Sequence, residues 1–292
     1  MKLTFYRGEV PNFGDELNSI LWDELIEPGF FNDDESQLFL GVGSIIWNDF
    51  NPRAKKLVVG SGYGGYTDLP DVHDGNWQFS FVRGPRTAAL LGLDKNLAIT
   101  DSAILTHFAD IPSTEKRFKA SFMPHFQSIE RGNWKQACEL ADIHFIDPRD
   151  DVKKILNDIQ QSELVISEAM HGAILADTLR TPWLAVEPLA SQHRNKWYDW
   201  SESLEMTLEF KPMPASSIRD FWAKVTGGTG LGRKSQIAER VLAFTQDYFV
   251  KDAASRLNRL SKETGFLSDE AIFKSKAHQA LEALSTIAPV KV

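Results

Sequence analysis

The sequence predicts an α/β protein built from two doubly wound domains with a helical C-terminal tail. Three observations carry that expectation. Short apolar runs alternate with Gly-rich turns and helix-like spacing from residue 2 to about 110. The same alternation resumes after a polar segment, Ile111-Pro112-Ser113-Thr114-Glu115-Lys116-Arg117, which reads as a linker. From about Lys234 onward only helical spacing remains. Strand, turn and helix in repetition are the mark of a parallel sheet covered by helices, and such sheets bind ligands beyond the carboxyl ends of their strands. The boundaries expected on this reading are 1–115, 116–230 and 231–292, with a cleft between the first two bodies.

Lys2 to Tyr6 reads as the first strand. A helix then starts near Asp15, with Leu17, Ile20, Leu21 and Leu25 at helical spacing. Leu38–Val42, Lys56–Val59, Phe79–Val82 and Leu97–Ile99 read as further strands. Arg83-Gly84-Pro85-Arg86-Thr87 opens a helix, with Pro85 in its first turn. Beyond the linker, Ala120–Met123, Asp142–Ile146, Leu164–Ile166 and Trp183–Val186 read as strands and Asp151–Gln161 as a helix. Ser167-Glu168-Ala169-Met170-His171-Gly172 opens another helix that runs towards Leu179. In the tail, Ile237, Val241, Phe244, Tyr248 and Leu257 mark an apolar stripe, Gly265 breaks it, and Ser268-Asp269-Glu270 starts a last helix.

Composition narrows the function. The 292 residues are 42% hydrophobic and 25% charged, which are globular values. The formal net charge of −8 leaves no basic footprint for nucleic acid. A single cysteine, Cys138, excludes a disulfide framework and a Cys-based zinc site within one chain, and is expected to pack structurally. The start of the chain lacks the apolar core of a signal peptide, and no run approaches the ~18 apolar residues of a membrane span. The expected location is the cytoplasm, with any membrane contact peripheral and at the inner face.

Two Gly-rich segments resemble nucleotide loops without satisfying their requirements. Gly60-Ser61-Gly62-Tyr63-Gly64-Gly65 has dinucleotide spacing, but the residues that follow make a poor helix start. It reads instead as a loop lining a pocket. In Gly227–Ser235, Arg233 separates the last glycine from Lys234, so the phosphate-loop spacing fails and the segment reads as a linker. No metal motif is present, and neither a metal nor a cofactor is expected.

The candidate site residues sit in the turns at the strand ends. Asn12, Asp15 and Asn18 follow the first strand. Asp15 either caps the next helix or joins the two asparagines in binding sugar hydroxyls. His125 follows Pro124 at one strand end. His171 follows another, near a helix N-terminus, where an anion and a proton transfer are both favoured. Arg83, Arg86, Arg194 and Lys196 also occupy turns, and four cations suit a ligand carrying both phosphate and carboxylate.

Three blocks, Asn12-Phe13-Gly14-Asp15-Glu16-Leu17-Asn18, Val82–Thr87 and Ser167–Gly172, occur here in the order found in polysaccharide pyruvyl transferases. Over roughly residues 1 to 200 the chain resembles the bacterial exopolysaccharide branch of that family. The resemblance implies a GT-B-like fold, two Rossmann-like domains with parallel sheets facing across a cleft. It implies phosphoenolpyruvate as co-substrate and an oligosaccharide or lipid-linked oligosaccharide as acceptor. Many members carry Arg-Leu-His where this chain has Ala169-Met170-His171, so other cations must supply that charge. On this basis His171 is assigned as acid or phosphate contact, and Asp15 or His125 as base. Arg83, Arg86, Arg194, Lys196, Ser167, Glu168 and Gly172 are assigned to the donor; Asn12, Asn18 and Gly62 to the acceptor. Two other readings stay open. One is a GT-B glycosyltransferase using a nucleotide sugar. The other is a non-catalytic carbohydrate-binding protein, for which eight tryptophans would supply stacking.

Overall fold

The computed structural model describes residues 1–188 and 191–291, with the side chains of 191 and 192 left aside. The chain folds as two compact units. The first comprises Met1–Pro112, Gln192–Leu208 and Ser268–Val292; the second, Ser113–Ser191 and Glu209–Leu267. The first crossing falls inside the expected linker. The segment after 231 is shared between the units and forms no third body.

The first unit holds four parallel strands in sequential order: β1 (Lys2–Thr4), β2 (Gln37–Leu40), β3 (Lys55–Val59) and β4 (Trp77–Phe81). Leu38, Phe39 and Leu40 are all buried, as are Leu57, Val58 and Val59. Continuous apolar runs of this kind belong to parallel strands covered on both faces. Two short helices, α1 (Phe13–Glu16) and α2 (Asn18–Leu25), follow β1, and α3 (Pro85–Leu90) follows β4 with Pro85 at its start. Leu97–Ile99 is not a strand. Lys95–Leu97 coils into a 3-10 turn, and only Ala98 bridges to Val82. No helix lies between β3 and β4, in keeping with the poor helix start read after Gly65.

The second unit holds five parallel strands: β5 (Ser121–Met123), β6 (His144–Phe145), β7 (Val165–Ser167), β8 (Trp183–Val186) and β9 (Phe210–Lys211), in the order β6-β5-β7-β8-β9. The order reverses at β5. The crevice outside the carboxyl ends of β5 and β7 is therefore a topological switch point. Helices α4 (Phe126–Arg131), α5 (Trp134–Ala141), α6 (Val152–Gln160) and α7 (Met170–Thr178) connect these strands. Asp151 caps α6, whose buried Val152, Ile155, Leu156 and Ile159 keep helical spacing. Cys138 is buried in this unit's core beside Trp134 and Ala137, and burial pushes its thiol well above the ordinary range.

The remaining helices divide between the units. The first unit takes α8 (Ser191–Ser203) and α12 (Glu270–Ser285); the second takes α9 (Ile218–Thr226), α10 (Arg233–Val241) and α11 (Gln246–Leu260). Asp269 caps α12, and Phe273, Ala277, Ala280 and Leu284 form its buried face. The expected tail stripe does not share one face: Leu257 is buried, while Ile237, Val241, Phe244 and Tyr248 are exposed. A 3-10 turn at Ala243–Thr245 separates α10 from α11, whose buried face is Val250, Ala253, Ala254, Leu257 and Leu260. Among the described residues no helix is long and apolar enough to cross a membrane.

Asn18 shows how tightly the first unit is tied. It is fully buried. Its amide donates to the Asp15 and Val42 carbonyls, each at 2.9 Å. Its Oδ1 accepts from Trp22 Nε1 at 2.8 Å and from the Val42 N–H at 2.9 Å. All four hydrogen bonds of the side chain are therefore spent on the protein. The expectation that Asn18 contacts an acceptor is corrected. Asn18→Ala leaves several buried groups unpaired and should lower unfolding free energy by about 2–4 kcal/mol. A urea titration reads this directly; a change below about 0.5 kcal/mol, the ordinary surface value, would contradict the assignment.

Candidate functional site

The carboxyl edge of the first sheet gathers a polar cluster. Asn12 precedes α1 and its amide donates to Asp15 Oδ2 at 2.6 Å. Asp15 thus lies in the first turn of α1, and the N-cap position belongs to Asn12. Lys196, on α8, donates from Nζ to Tyr66 Oη at 2.7 Å. The ring of His193, one turn earlier, meets the Tyr66 ring edge-on at 6.3 Å between centroids. Burial pushes the Lys196 ammonium down to about 8, helped by Arg83 and opposed by Asp15 and Asp101. Tyr66 is held up at about 12, first by burial, with Arg83 pulling down and Asp15 pushing up. A lysine near half-protonation at mildly alkaline pH can bind an anion or pass a proton.

Beneath this cluster lies a buried ion pair. Arg83 Nε donates to Asp199 Oδ2 at 3.0 Å, Nη1 to Ser44 Oγ at 2.6 Å and Nη2 to the Tyr63 carbonyl at 3.1 Å. The Thr87 N–H donates to Asp199 Oδ1 at 2.9 Å, and the Thr87 hydroxyl to Oδ2 at 2.6 Å. Both charged side chains are almost wholly out of water. Gly62 packs on the guanidinium: a Cβ there would fall 2.2 Å from Arg83 Cζ. Gly84 abuts α8, where a Cβ would fall 1.9 Å from the Asp199 carbonyl oxygen. The Val82–Thr87 block therefore docks α8. Arg83 is no clamp for a donor anion, and Gly62 serves packing. Arg86 is bidentate to Glu202 on the same helix, so its charge is already matched. Arg194 is half-buried on α8.

In the second unit the candidates meet at the switch point. Met123 and Ser167 are register partners at the ends of β5 and β7. His125 follows β5 as the N-cap of α4, and His171 lies half-buried in the first turn of α7. Glu168 joins the two loops. Its Oε2 accepts from the His125 N–H and its Oε1 from Ser128 Oγ, each at 2.9 Å. Ser128 in turn accepts from Arg131 Nη2 at 2.7 Å, and Arg131 Nε donates to Asp220 Oδ1 at 3.0 Å. Burial raises the Glu168 carboxyl above its ordinary range, with Arg131 as the chief opposing influence. Glu168 is thus a strut and not a donor contact. Ser167 Oγ donates to the Ala169 carbonyl at 2.7 Å and is fully buried, so it too is structural. Gly172 is required by close approach: a Cβ would fall 2.5 Å from Ser167 Oγ and 2.6 Å from Met123 Sδ.

The two units thus divide the candidates. Asn12, Asp15 and Lys196 come together in the first; His125 and His171 share one sheet edge in the second. Sequence reasoning missed Tyr66, His193 and Asp101, and with them Arg149. Arg149 follows β6 at the same edge and pairs with Asp147 at 2.6 Å. Its position after a predicted strand end was the available signal. Among the described residues no group of three or more His, Cys, Asp or Glu is assembled for a metal.

Comparison with known proteins agrees with the sequence resemblance. The family model described as polysaccharide pyruvyl transferase matches residues 12–188. The chain is 41% identical over 244 residues to the succinoglycan biosynthesis protein ExoV of Rhizobium meliloti (strain 1021), covering 82% of this chain and 75% of that protein.

Two outcomes follow from the first-unit geometry. Removing one partner of a buried ion pair strands the other charge, so Arg83→Ala should cost about 3–5 kcal/mol of stability. A melting curve matching wild type would refute the docking role. The second concerns pH. Native Lys196 loses its proton near 8, whereas an unfolded lysine does so at about 10.4. Between those values the unfolded chain binds more protons, so this group's contribution to stability rises with pH. Urea stability measured from pH 7 to 10 should carry that rise in the wild type and lose it in Lys196→Met.

Proposed function

The chain belongs to the polysaccharide pyruvyl transferase family, and on that premise we propose that it moves the pyruvyl group of phosphoenolpyruvate onto an exopolysaccharide sugar, or its lipid-linked repeat unit. The observation that carries this reading is the 41% identity to ExoV across 82% of the chain. That relative is named for succinoglycan biosynthesis, which favours an exopolysaccharide acceptor here.

The chemistry is set by the donor. Phosphoenolpyruvate is an enol phosphate, and a proton added to its methylene carbon makes the central carbon an oxocarbenium-like electrophile. One sugar hydroxyl adds to that carbon and gives up its proton. The carbon–oxygen bond to phosphate then breaks, a second hydroxyl adds with loss of its proton, and a cyclic ketal and inorganic phosphate result. The enzyme must supply an acid, a base and cations for the phosphate and carboxylate. His171 is assigned to the acid or to the phosphate, because the N-terminus of the nine-residue α7 favours an anion beside it. Asp15 or His125 is assigned to the base. Lys196 and Arg194 are assigned to the phosphate and carboxylate, Arg83 and Arg86 being held by Asp199 and Glu202. Asn12, which holds Asp15, is assigned to the acceptor. No metal is needed for these steps.

The test is release of inorganic phosphate from phosphoenolpyruvate in the presence of candidate oligosaccharides, with mass spectrometry of the product for the ketal. His171→Ala should lower turnover by about 10²–10⁴-fold, the range for a lost acid–base group, and His171→Gln should recover little. The same assay should be indifferent to EDTA. Near-normal turnover in His171→Ala, or loss with EDTA that a divalent ion restores, would overturn the corresponding part. Release of a nucleotide from a sugar nucleotide would replace the reading with glycosyl transfer.

A further inference from the structure

Four of the five residues expected as an apolar stripe in the tail, Ile237, Val241, Phe244 and Tyr248, face outward, whereas Leu257 is buried. Of the thirteen large exposed hydrophobics among the described residues, seven lie between 221 and 248: Phe221, Val225, Ile237, Val241, Leu242, Phe244 and Tyr248. Phe244 is 82% exposed and Val241 68%. Such concentration in a short stretch is unlike scattered surface hydrophobics and marks an interaction surface. All seven residues belong to the second unit. Helix α9 packs on α10, and the Phe221 ring lies 5.7 Å from Phe249, which lies 5.8 Å from Tyr248.

Helix α10 is amphipathic in the inverted sense. Its buried residue is a serine, Ser235, whose hydroxyl donates to the Gly230 and Gly232 carbonyls. Ile237 and Val241, one turn apart, occupy the opposite, exposed face. Arg233 lies one turn before Ile237, Arg240 three residues after it, and Lys234 seven before Val241, so three cations flank the apolar pair. All three are exposed, while the acidic residue of the helix, Glu239, is half-buried on the Ser235 side. The chain as a whole is acidic, at −8. A local cationic rim around exposed aromatic and aliphatic side chains is the pattern of a helix that lies in a bilayer interface. It is unlike a self-association surface, because a two-fold copy would set these like charges against one another.

We propose that the α9–α11 face, centred on Ile237, Val241 and Phe244, docks on an anionic phospholipid bilayer, with Arg233, Lys234 and Arg240 meeting the headgroups. The proposal stands on this surface alone and does not depend on the donor chemistry. It is tested by sedimenting the full chain with vesicles of phosphatidylcholine, or of phosphatidylcholine and phosphatidylglycerol in equal parts. The chain should bind the mixed vesicles and bind pure phosphatidylcholine much more weakly. Added salt should reduce binding, because it screens the headgroup attraction. Phe244→Glu and the double substitution I237E/V241E should each weaken binding by at least about tenfold, the effect of withdrawing a buried apolar side chain. R233Q/K234Q should weaken it by about fivefold per charge. These side chains are exposed, so melting temperature and transfer to a water-soluble acceptor should stay as in wild type. No binding to the mixed vesicles, or binding that ignores the substitutions, would overturn the proposal. A dimer that Phe244→Glu dissociates, with no change in vesicle binding, would assign the face to a second copy of the chain instead.

Discussion

A guanidinium and a carboxylate removed from water set the geometry of the first unit. Burying both charges is costly unless their hydrogen bonds are all met, and here they are shared among four segments. Ser44 comes from the turn after β2, Tyr63 from the turn after β3, Arg83 and Thr87 from the exit of β4, and Asp199 from α8. The Asn12–Asp15 pair, Tyr66 and Lys196 are arranged around this point. Lys196 lies one helical turn before Asp199, and Tyr66 lies three residues after Tyr63. The pair also acts at a distance, since the charge of Arg83 helps to lower the ammonium of Lys196. One buried contact therefore anchors the helix that carries the cation above it and adds to the effect of burial on its proton affinity.

The second unit solves a similar problem with a carboxylate at the switch point. Two strands leaving in opposite directions of the sheet order open a crevice, and nothing in the sheet itself holds the loops on its two sides together. Glu168 does so by accepting from the loop after β5 while standing in the loop after β7. Arg131 and Asp220 continue the chain of contacts into α9. The two histidines thus project from a frame whose polar groups are satisfied elsewhere.

The sheet strands were legible because parallel strands buried on both faces are short continuous apolar runs. Leu97–Ile99 shares that composition yet pairs at a single residue, since the preceding Asp94 closes a 3-10 turn. Helix α8 was not legible. Its sequence, SQHRNKWYDWSES, is mostly polar, its buried face resting on Trp197 and Trp200, and Asp199 and Glu202 tie it to Arg83 and Arg86. For the same reason the cations were misread. An arginine in a turn shows its charge in the sequence, but its partner lies 116 residues away. The tail helices were expected where they occur, but the stripe drawn through them mixes faces: Tyr248 and Leu257, nine residues apart on α11, lie on opposite sides of the helix, and only Leu257 is buried. The histidines lie where strand-end reasoning put them, because strand ends follow from the runs themselves.

The division of the chain has a consequence for its synthesis. The first unit begins with β1 but is completed only by α8 and by α12, which packs on the 3-10 segment Ser102–Phe108 and whose Phe273 ring lies 5.2 Å from His107. Just beyond α12, Val290 bridges back to Ile26. A nascent chain that has emerged as far as Pro112 has made all four strands of the first sheet and still lacks the carboxylate that Arg83 needs. The second unit is complete once residue 267 has emerged, before the first can close. The half of the protein that is translated first is thus the last to reach its final packing, and its buried arginine waits in water until α8 arrives.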